Sequence, residues 1–150
     1  MATRSTIAIE LTDGTVKQIY SHWDGYLSWN GRLLLENYSD PKVLEDLINL
    51  GDISSLRETI GEKHPFDFMY AGIDYDQYKD LYGKMTTFYG RDRGEDNTSA
   101  RTFPNFEMYR LSGDKQEYDY ILRNDGQWYV NFSNGYIELT PEMVEEKELD

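Results

Sequence analysis

Two turn signals, one near each end of the chain, limit what it can fold into. Asp13-Gly14 separates Thr6-Ile7-Ala8-Ile9-Glu10-Leu11 from the run Val16 to Trp23. Asn124-Asp125-Gly126 separates residues 117–123 from residues 127–132. Glycine after Asp takes the positive φ that a tight hairpin turn demands, and the flanking runs carry the β-branched and aromatic side chains that suit a pleated sheet. Strands are therefore expected over about 5–11 and 15–22, with a second hairpin over 117–132. That second hairpin alternates: Tyr118, Tyr120 and Leu122 fall on one face, Asp119, Ile121 and Arg123 on the other. Across the turn, Trp128 and Val130 oppose Tyr129, and Tyr136 to Leu139 adds a short strand.

Between the hairpins the period changes. Leu27, Leu34 and Tyr38 share a helical face, with Gly31 beside it as a close-packing position or a weak point. Asp40-Pro41 starts another helix, since Asp caps an N-terminus and Pro fits the first helical position. Its buried stripe is Val43, Leu44, Leu47, Ile48 and Leu50, and Gly51 stops it. A short helix is expected from Asp52 towards Ile60, a packed loop over 61–73, a short helix over 75–82 and a strand over 84–89. Residues 90–99, bracketed by Gly90 and Gly94, read as a mobile exposed loop. A short helix lies near 103–109, and Thr140-Pro141 opens an acidic terminal helix or tail over 140–150. The expectation is one α+β domain over 1–150, built on a single antiparallel sheet of two hairpins plus a middle strand, with helices on one face.

Charge narrows the partners. The chain of 150 residues has 28 Asp and Glu against 15 Lys and Arg, a formal net of −13. Residues 1–75 hold twelve acids and six bases, and residues 76–150 hold sixteen and nine, so the acidity covers the whole surface. Direct binding to nucleic acid and to anionic membranes is disfavoured, because phosphate contacts need clustered cations. There is no cysteine, which removes disulfides and thiolate chemistry. No apolar leader opens the chain and no run approaches the roughly 20 residues of a membrane helix, so a cytoplasmic location is expected. Thirteen tyrosines, six phenylalanines and three tryptophans are many for one small core, so some face outward.

Five constellations bear on function. His22 and Asp24 in His22-Trp23-Asp24-Gly25-Tyr26 have the spacing of a base and its orienter, while Asp24 also suits a helix cap with Trp23 in the core. His22 and His64 with Asp24, Asp67 or Asp92 match no metal template, and no metal or other cofactor is expected. Arg91 and Arg93 in the Gly90–Gly94 segment, with Lys63, His64 and Arg101, form the densest basic spot and a candidate anion site, against the plainer reading of a self-compensating surface loop. The acids Asp74, Asp76 and Asp80, Asp92, Glu95 and Asp96, and Asp114, Glu117 and Asp119 imitate a phosphate row or merely solubilise. Tyr75, Tyr78 and Tyr82 have helical spacing beside those acids. Together Asp74, Tyr75, Asp76, Tyr78, Asp80, Tyr82, Glu95 and Asp96 make the candidate partner-binding surface.

The segments Ile19-Tyr20-Ser21-His22-Trp23-Asp24-Gly25-Tyr26, Gly51-Asp52-Ile53-Ser54-Ser55-Leu56, Gly61-Glu62-Lys63-His64-Pro65-Phe66 and Thr87-Phe88-Tyr89-Gly90-Arg91-Asp92-Arg93-Gly94-Glu95 resemble a group of small bacteriophage and prophage proteins. The resemblance carries no catalytic residue or cofactor. It implies a context, in which a small acidic phage protein acts on a host protein in the bacterial cytoplasm. The resulting expectation is stoichiometric binding that inhibits or redirects a host protein with a basic nucleic-acid-binding surface. A nucleotide- or anion-binding protein or hydrolase using the basic segment is the alternative, and a phage assembly protein a second one.

Overall fold

The computed structural model describes residues 2–62, 76, 83–132 and 135–145. Both hairpins form. Strands β1 (Ser5–Glu10) and β2 (Val16–Ser21) pair antiparallel, with Ile7 opposite Ile19. Strands β6 (Tyr118–Leu122), β7 (Trp128–Asn131) and β8 (Tyr136–Glu138) form an antiparallel meander. The two units meet along a parallel seam between β1 and β6, with Ile7 beside Tyr120 and Ile9 beside Leu122. The fold is α+β, but its sheet is mixed rather than purely antiparallel.

Two further pieces extend the far edge of β2. Strand β3 (Ile53–Ser55) runs parallel to it, meets β4 (Thr87–Phe88), and stands where a short helix is expected from sequence. Ile53 is fully buried there, so cross-strand burial overrides the local Asp-Ile-Ser-Ser turn signal. Strand β5 (Arg101–Phe103) pairs with the start of β2. The path is β4-β3-β2-β1-β6-β7-β8, with β5 attached to β2.

Helices α1 (Arg32–Asn37) and α2 (Pro41–Asn49) cover one face. Asp40 caps α2, its carboxylate accepting from the Lys42 N–H, and Pro41 occupies the first position. Leu34, Leu44, Leu47 and Ile48 pack onto Ile7, Ile9, Ile19, Tyr120, Leu122, Trp128 and Val130. Each such side chain contributes about 1.5–3 kcal/mol on burial. Gly31 is a close-packing position, since a Cβ there would lie 3.3 Å from Tyr120 Oη.

The opposite face is covered too, which corrects the expectation of helices on one side only. Helix α4 (Phe106–Ser112), capped by Asn105, brings Tyr109 against Ala8, Val16 and Ile121, with Phe103, Phe106, Tyr129 and Tyr136 around it. Every residue of β1 is therefore buried. The expected 84–89 strand is shortened to β4 and a bridge at Met85, while helix α3 (Tyr89–Arg93) takes Tyr89 and the basic part of the expected 90–99 loop, and Gly94 closes it at φ 67. Residues 141–145 form turns rather than a regular helix, and residues 146–150 lie outside the described residues, as does the expected helix over 75–82 apart from Asp76. Among the described residues no helix is long and apolar enough to cross a membrane.

Candidate functional site: an aromatic and arginine-bearing face

The last turn of β2 sets up the most distinctive surface of the molecule. Beyond Ser21 the pairing with β3 continues, as His22 and Trp23 donate their N–H groups to Ile53 O at 3.2 Å and Ser54 O at 3.0 Å. The chain then bends at Asp24, whose φ of 58° is a left-handed value uncommon outside glycine. Gly25 follows because nothing larger fits: a Cβ would lie 2.8 Å from both Ser5 Cβ and Thr3 O. After the bend, residues Leu27–Gly31 form a π-helical turn, in which Gly31 N–H reaches Tyr26 O. Such turns carry an extra residue and re-aim side chains. Here Asn30 is turned fully inward, while Trp23, Tyr26 and Trp29 stand at the surface with 44%, 37% and 37% of their area exposed.

Asn30 fastens this arrangement. Its amide nitrogen donates to Ser5 Oγ and Ser21 Oγ, each at 3.2 Å, and to Trp23 O at 3.4 Å. Trp23 in turn stacks edge-on against His22, with ring centroids 4.7 Å apart. His22 Nδ1 is hydrogen-bonded to Tyr20 Oη at 2.8 Å. Burial raises the Tyr20 phenol above its ordinary value, and the Arg4 guanidinium beside it pulls in the opposite direction. Arg57 lies over the Trp29 ring at 5.3 Å and Arg93 over Tyr89 at 5.3 Å. Arg93 Nη2 is 3.5 Å from Ser54 Oγ, which joins α3 to β3, the strand whose carbonyl accepts the Trp23 N–H. The result is an outward set of aromatic rings and arginines on the segments that follow β2 and β3, tied down by the pairing of His22 and Trp23 with β3 and by Asn30.

Several sequence expectations change on this geometry. Trp23 is not in the core, and Asp24 neither caps the following helix, whose N-cap is Tyr26, nor bonds to His22, whose Nδ1 partner is Tyr20. The basic segment is built into the fold. Arg91 donates to Ile60 O, Gly61 O and Thr86 O and pairs with Asp92, which is fully buried and also accepts the Phe88 N–H at 2.7 Å. Arg101 grips Asp52 through two bonds, of 2.9 and 3.1 Å, and Asp52 also accepts the Tyr20 N–H, which fills the gap on the β2 edge between β3 and β5. That bonding raises the Arg101 pKa. Of the candidate anion ligands only Arg93 stands exposed and without a carboxylate, while Lys63 and His64 lie outside the described residues.

Two acids assigned to the surface, Asp92 and Asp119, are buried. Asp119 accepts from Thr6 Oγ1 at 2.7 Å and Gln116 N–H at 3.0 Å, and burial raises its pKa. Asp76, Glu95 and Asp96 are exposed, whereas Asp74, Tyr75, Tyr78, Asp80 and Tyr82 lie outside the described residues, as do His64 and Asp67. Among the described residues no three His or carboxylate side chains cluster as metal ligands.

A concavity stands at the opposite end of the sheet. A cleft of about 480 Å³ opens where β1 and β6 end, between the Leu11–Asp13 turn, the first turn of α2 and the Arg123–Gly126 turn. Its floor is fixed by Arg123, which pairs with Glu10 at 2.9 Å and lies 3.7 Å over the Phe106 ring. Comparison of the chain with protein-family models, curated proteins and solved structures gave no match.

Sequence reasoning missed Arg4, Tyr26, Trp29 and Arg57 as surface-forming residues. The available signal was the departure from helical spacing after Gly25, where Tyr26 and Trp29 fall off the apolar stripe of Leu27 and Leu34.

Proposed function

We propose that this chain is a non-catalytic phage protein that works by stoichiometric binding to a host protein, one that itself binds nucleic acid. The observation that carries the reading is the exposure of Trp23, Tyr26 and Trp29, with Arg57 over Trp29 and Arg93 over Tyr89. Trp, Tyr and Arg dominate the energetic centres of protein interfaces; Trp and Tyr bury large area with little loss of rotamer freedom, and Arg brings a planar fork of donors. The net charge of −13 supports a partner whose wider surface is basic, since opposite long-range fields raise encounter rates. Among the described residues Asp76, Glu95 and Asp96 are exposed and available for that role, whereas Glu10, Asp52, Asp92 and Asp119 are buried.

The test is affinity capture from a bacterial lysate at low salt, using the wild type and the Trp23→Ala/Trp29→Ala double variant. A discrete protein retained by the wild type and lost by the variant is expected. Equal retention by both, or none by either, contradicts the reading.

The cleft supports a second reading, small-molecule binding, because its size is that of a ligand pocket and apolar Ile9, Leu11 and Leu122 line it with a few polar groups. A thermal-shift screen with nucleotides separates the two. A ligand that binds the folded state raises the melting temperature, and the docking reading expects no nucleotide to do so.

A further inference from the structure

The arginines of this chain divide in a way that points at the partner's chemistry. Four of the eight are neutralised internally: Arg91 by Asp92, Arg101 by Asp52, Arg110 by Glu107 and Arg123 by Glu10. Arg32 donates to the Val144 carbonyl. Among the described residues, Arg4, Arg57 and Arg93 pair with no carboxylate, although the chain carries 28 of them; each lies against an aromatic side chain, Arg4 beside Tyr20, Arg57 over Trp29 and Arg93 over Tyr89. Asp24, in the same segment, pairs with none of them.

Two of these guanidiniums are pre-positioned. Arg57 lies over Trp29 and donates one N–H to Leu56 O at 2.9 Å. Arg93 lies over Tyr89, on a helix whose end is closed by Gly94. A guanidinium has five N–H donors in a planar fork, so each keeps most of its donors for a second, in-plane acceptor. Stacking on a ring fixes the plane of the fork in advance, which lowers the entropy lost when a carboxylate docks. Trp29, under Arg57, and Trp23, whose N–H is held by the carbonyl of the same Ser54 that Arg93 reaches, offer apolar area.

We propose that this face receives a carboxylate-bearing apolar segment of the protein partner, with Arg57 and Arg93 gripping the carboxylates and Trp23 and Trp29 taking the apolar side chain between them. The inference rests on the docking reading above and specifies its contact chemistry. The partner is basic over its wider surface and acidic at the point of contact, an arrangement that fixes register as well as rate. A nucleic acid strand fits less well: a chain of net −13 repels a polyphosphate, and three arginines around a platform do not track a backbone.

The experiment converts the forks into coupling groups. Arg57→Lys and Arg93→Lys variants, each bound to the protein captured from lysate, are treated with a carbodiimide, which joins an amine to a carboxylate only where the two touch. Linked peptides are mapped by mass spectrometry. In parallel, the Arg57→Gln/Arg93→Gln variant is titrated against the captured protein, with its melting temperature as the fold control. The expected result is amide links from residue 57 or 93 to Asp or Glu of the partner, and binding weakened at least tenfold with melting unchanged. Capture that depends on Trp23 but shows no such links, with the double Gln variant binding as the wild type does, overturns this inference and leaves the docking reading standing. Capture indifferent to Trp23 and Trp29, or no capture, overturns both. Arginine-dependent binding of an oligothymidylate with an affinity matching that for protein overturns the inference in favour of a nucleic-acid occupant.

Discussion

Asn30 holds the aromatic face from beneath, by donating to Ser5, Ser21 and the Trp23 carbonyl. Replacing it with Ala leaves those acceptors buried without their donor. Asn30→Ala is expected to lower stability by about 1–3 kcal/mol in urea titration, which is the usual cost of stranded buried polar groups. A change below the error of the measurement contradicts the role assigned to Asn30. Asp119 makes a different residue-scale prediction. Desolvation raises its folded pKa, with the bonds from Thr6 and Gln116 opposing. The folded state therefore binds the proton more tightly than the unfolded chain does, and stability falls as pH rises from the ordinary carboxylate range through the raised value. Asp119→Asn keeps the acceptor oxygen and removes the titration. The difference in stability between variant and wild type is expected to grow in the variant's favour across that window and to level off above it. A pH-independent difference contradicts the assignment.

Helix α3 shows how an element that reads as a loop becomes structural. Gly90-Arg91-Asp92-Arg93-Gly94 has the composition of an exposed anion-binding turn. In the fold, Asp92 turns back to cap the Phe88 N–H, and Arg91 reaches three carbonyls on two separate segments. Arg91→Ala removes those bonds and the Arg91 ion pair of the buried Asp92 carboxylate. A loss of about 3–5 kcal/mol is expected in chemical denaturation. A loss under about 1 kcal/mol would return Arg91 to the class of exposed ion pairs. The same element explains what the sequence conceals. Asp13-Gly14 and Asn124-Asp125-Gly126 announce their hairpins because a turn is a local event, and Asp40-Pro41 announces α2 for the same reason. The parallel seam of β1 with β6 joins residues more than a hundred positions apart, and no local pattern encodes it. Strand β3 has three residues and is made by its neighbours. The site was half legible. His22-Trp23-Asp24-Gly25-Tyr26 stands out by composition, yet Trp23 suits a core as well as a surface until the bend at Asp24 and the π-helical turn set its direction.

At the scale of the whole molecule, charge and contact are separated. Among the described residues, exposed carboxylates such as Asp76, Glu95 and Asp96 lie apart in sequence from Trp23, Tyr26 and Trp29, which follow the end of β2. On the proposed reading, long-range attraction governs the rate of encounter, and the aromatic contact governs how long the complex lasts. Reversing Glu95 and Asp96, both exposed, to Lys is expected to slow association at low salt by severalfold while leaving dissociation unchanged. An unchanged association rate would show that the acids only solubilise. The most direct test of the central claim is the affinity of the captured partner for wild type and for Trp23→Ala/Trp29→Ala, measured at equal folded stability. Removing two anchors of this kind is expected to weaken binding by about a thousandfold through faster dissociation, at roughly 2 kcal/mol for each central anchor. Equal affinity of the two proteins would place the contact surface elsewhere and contradict the account.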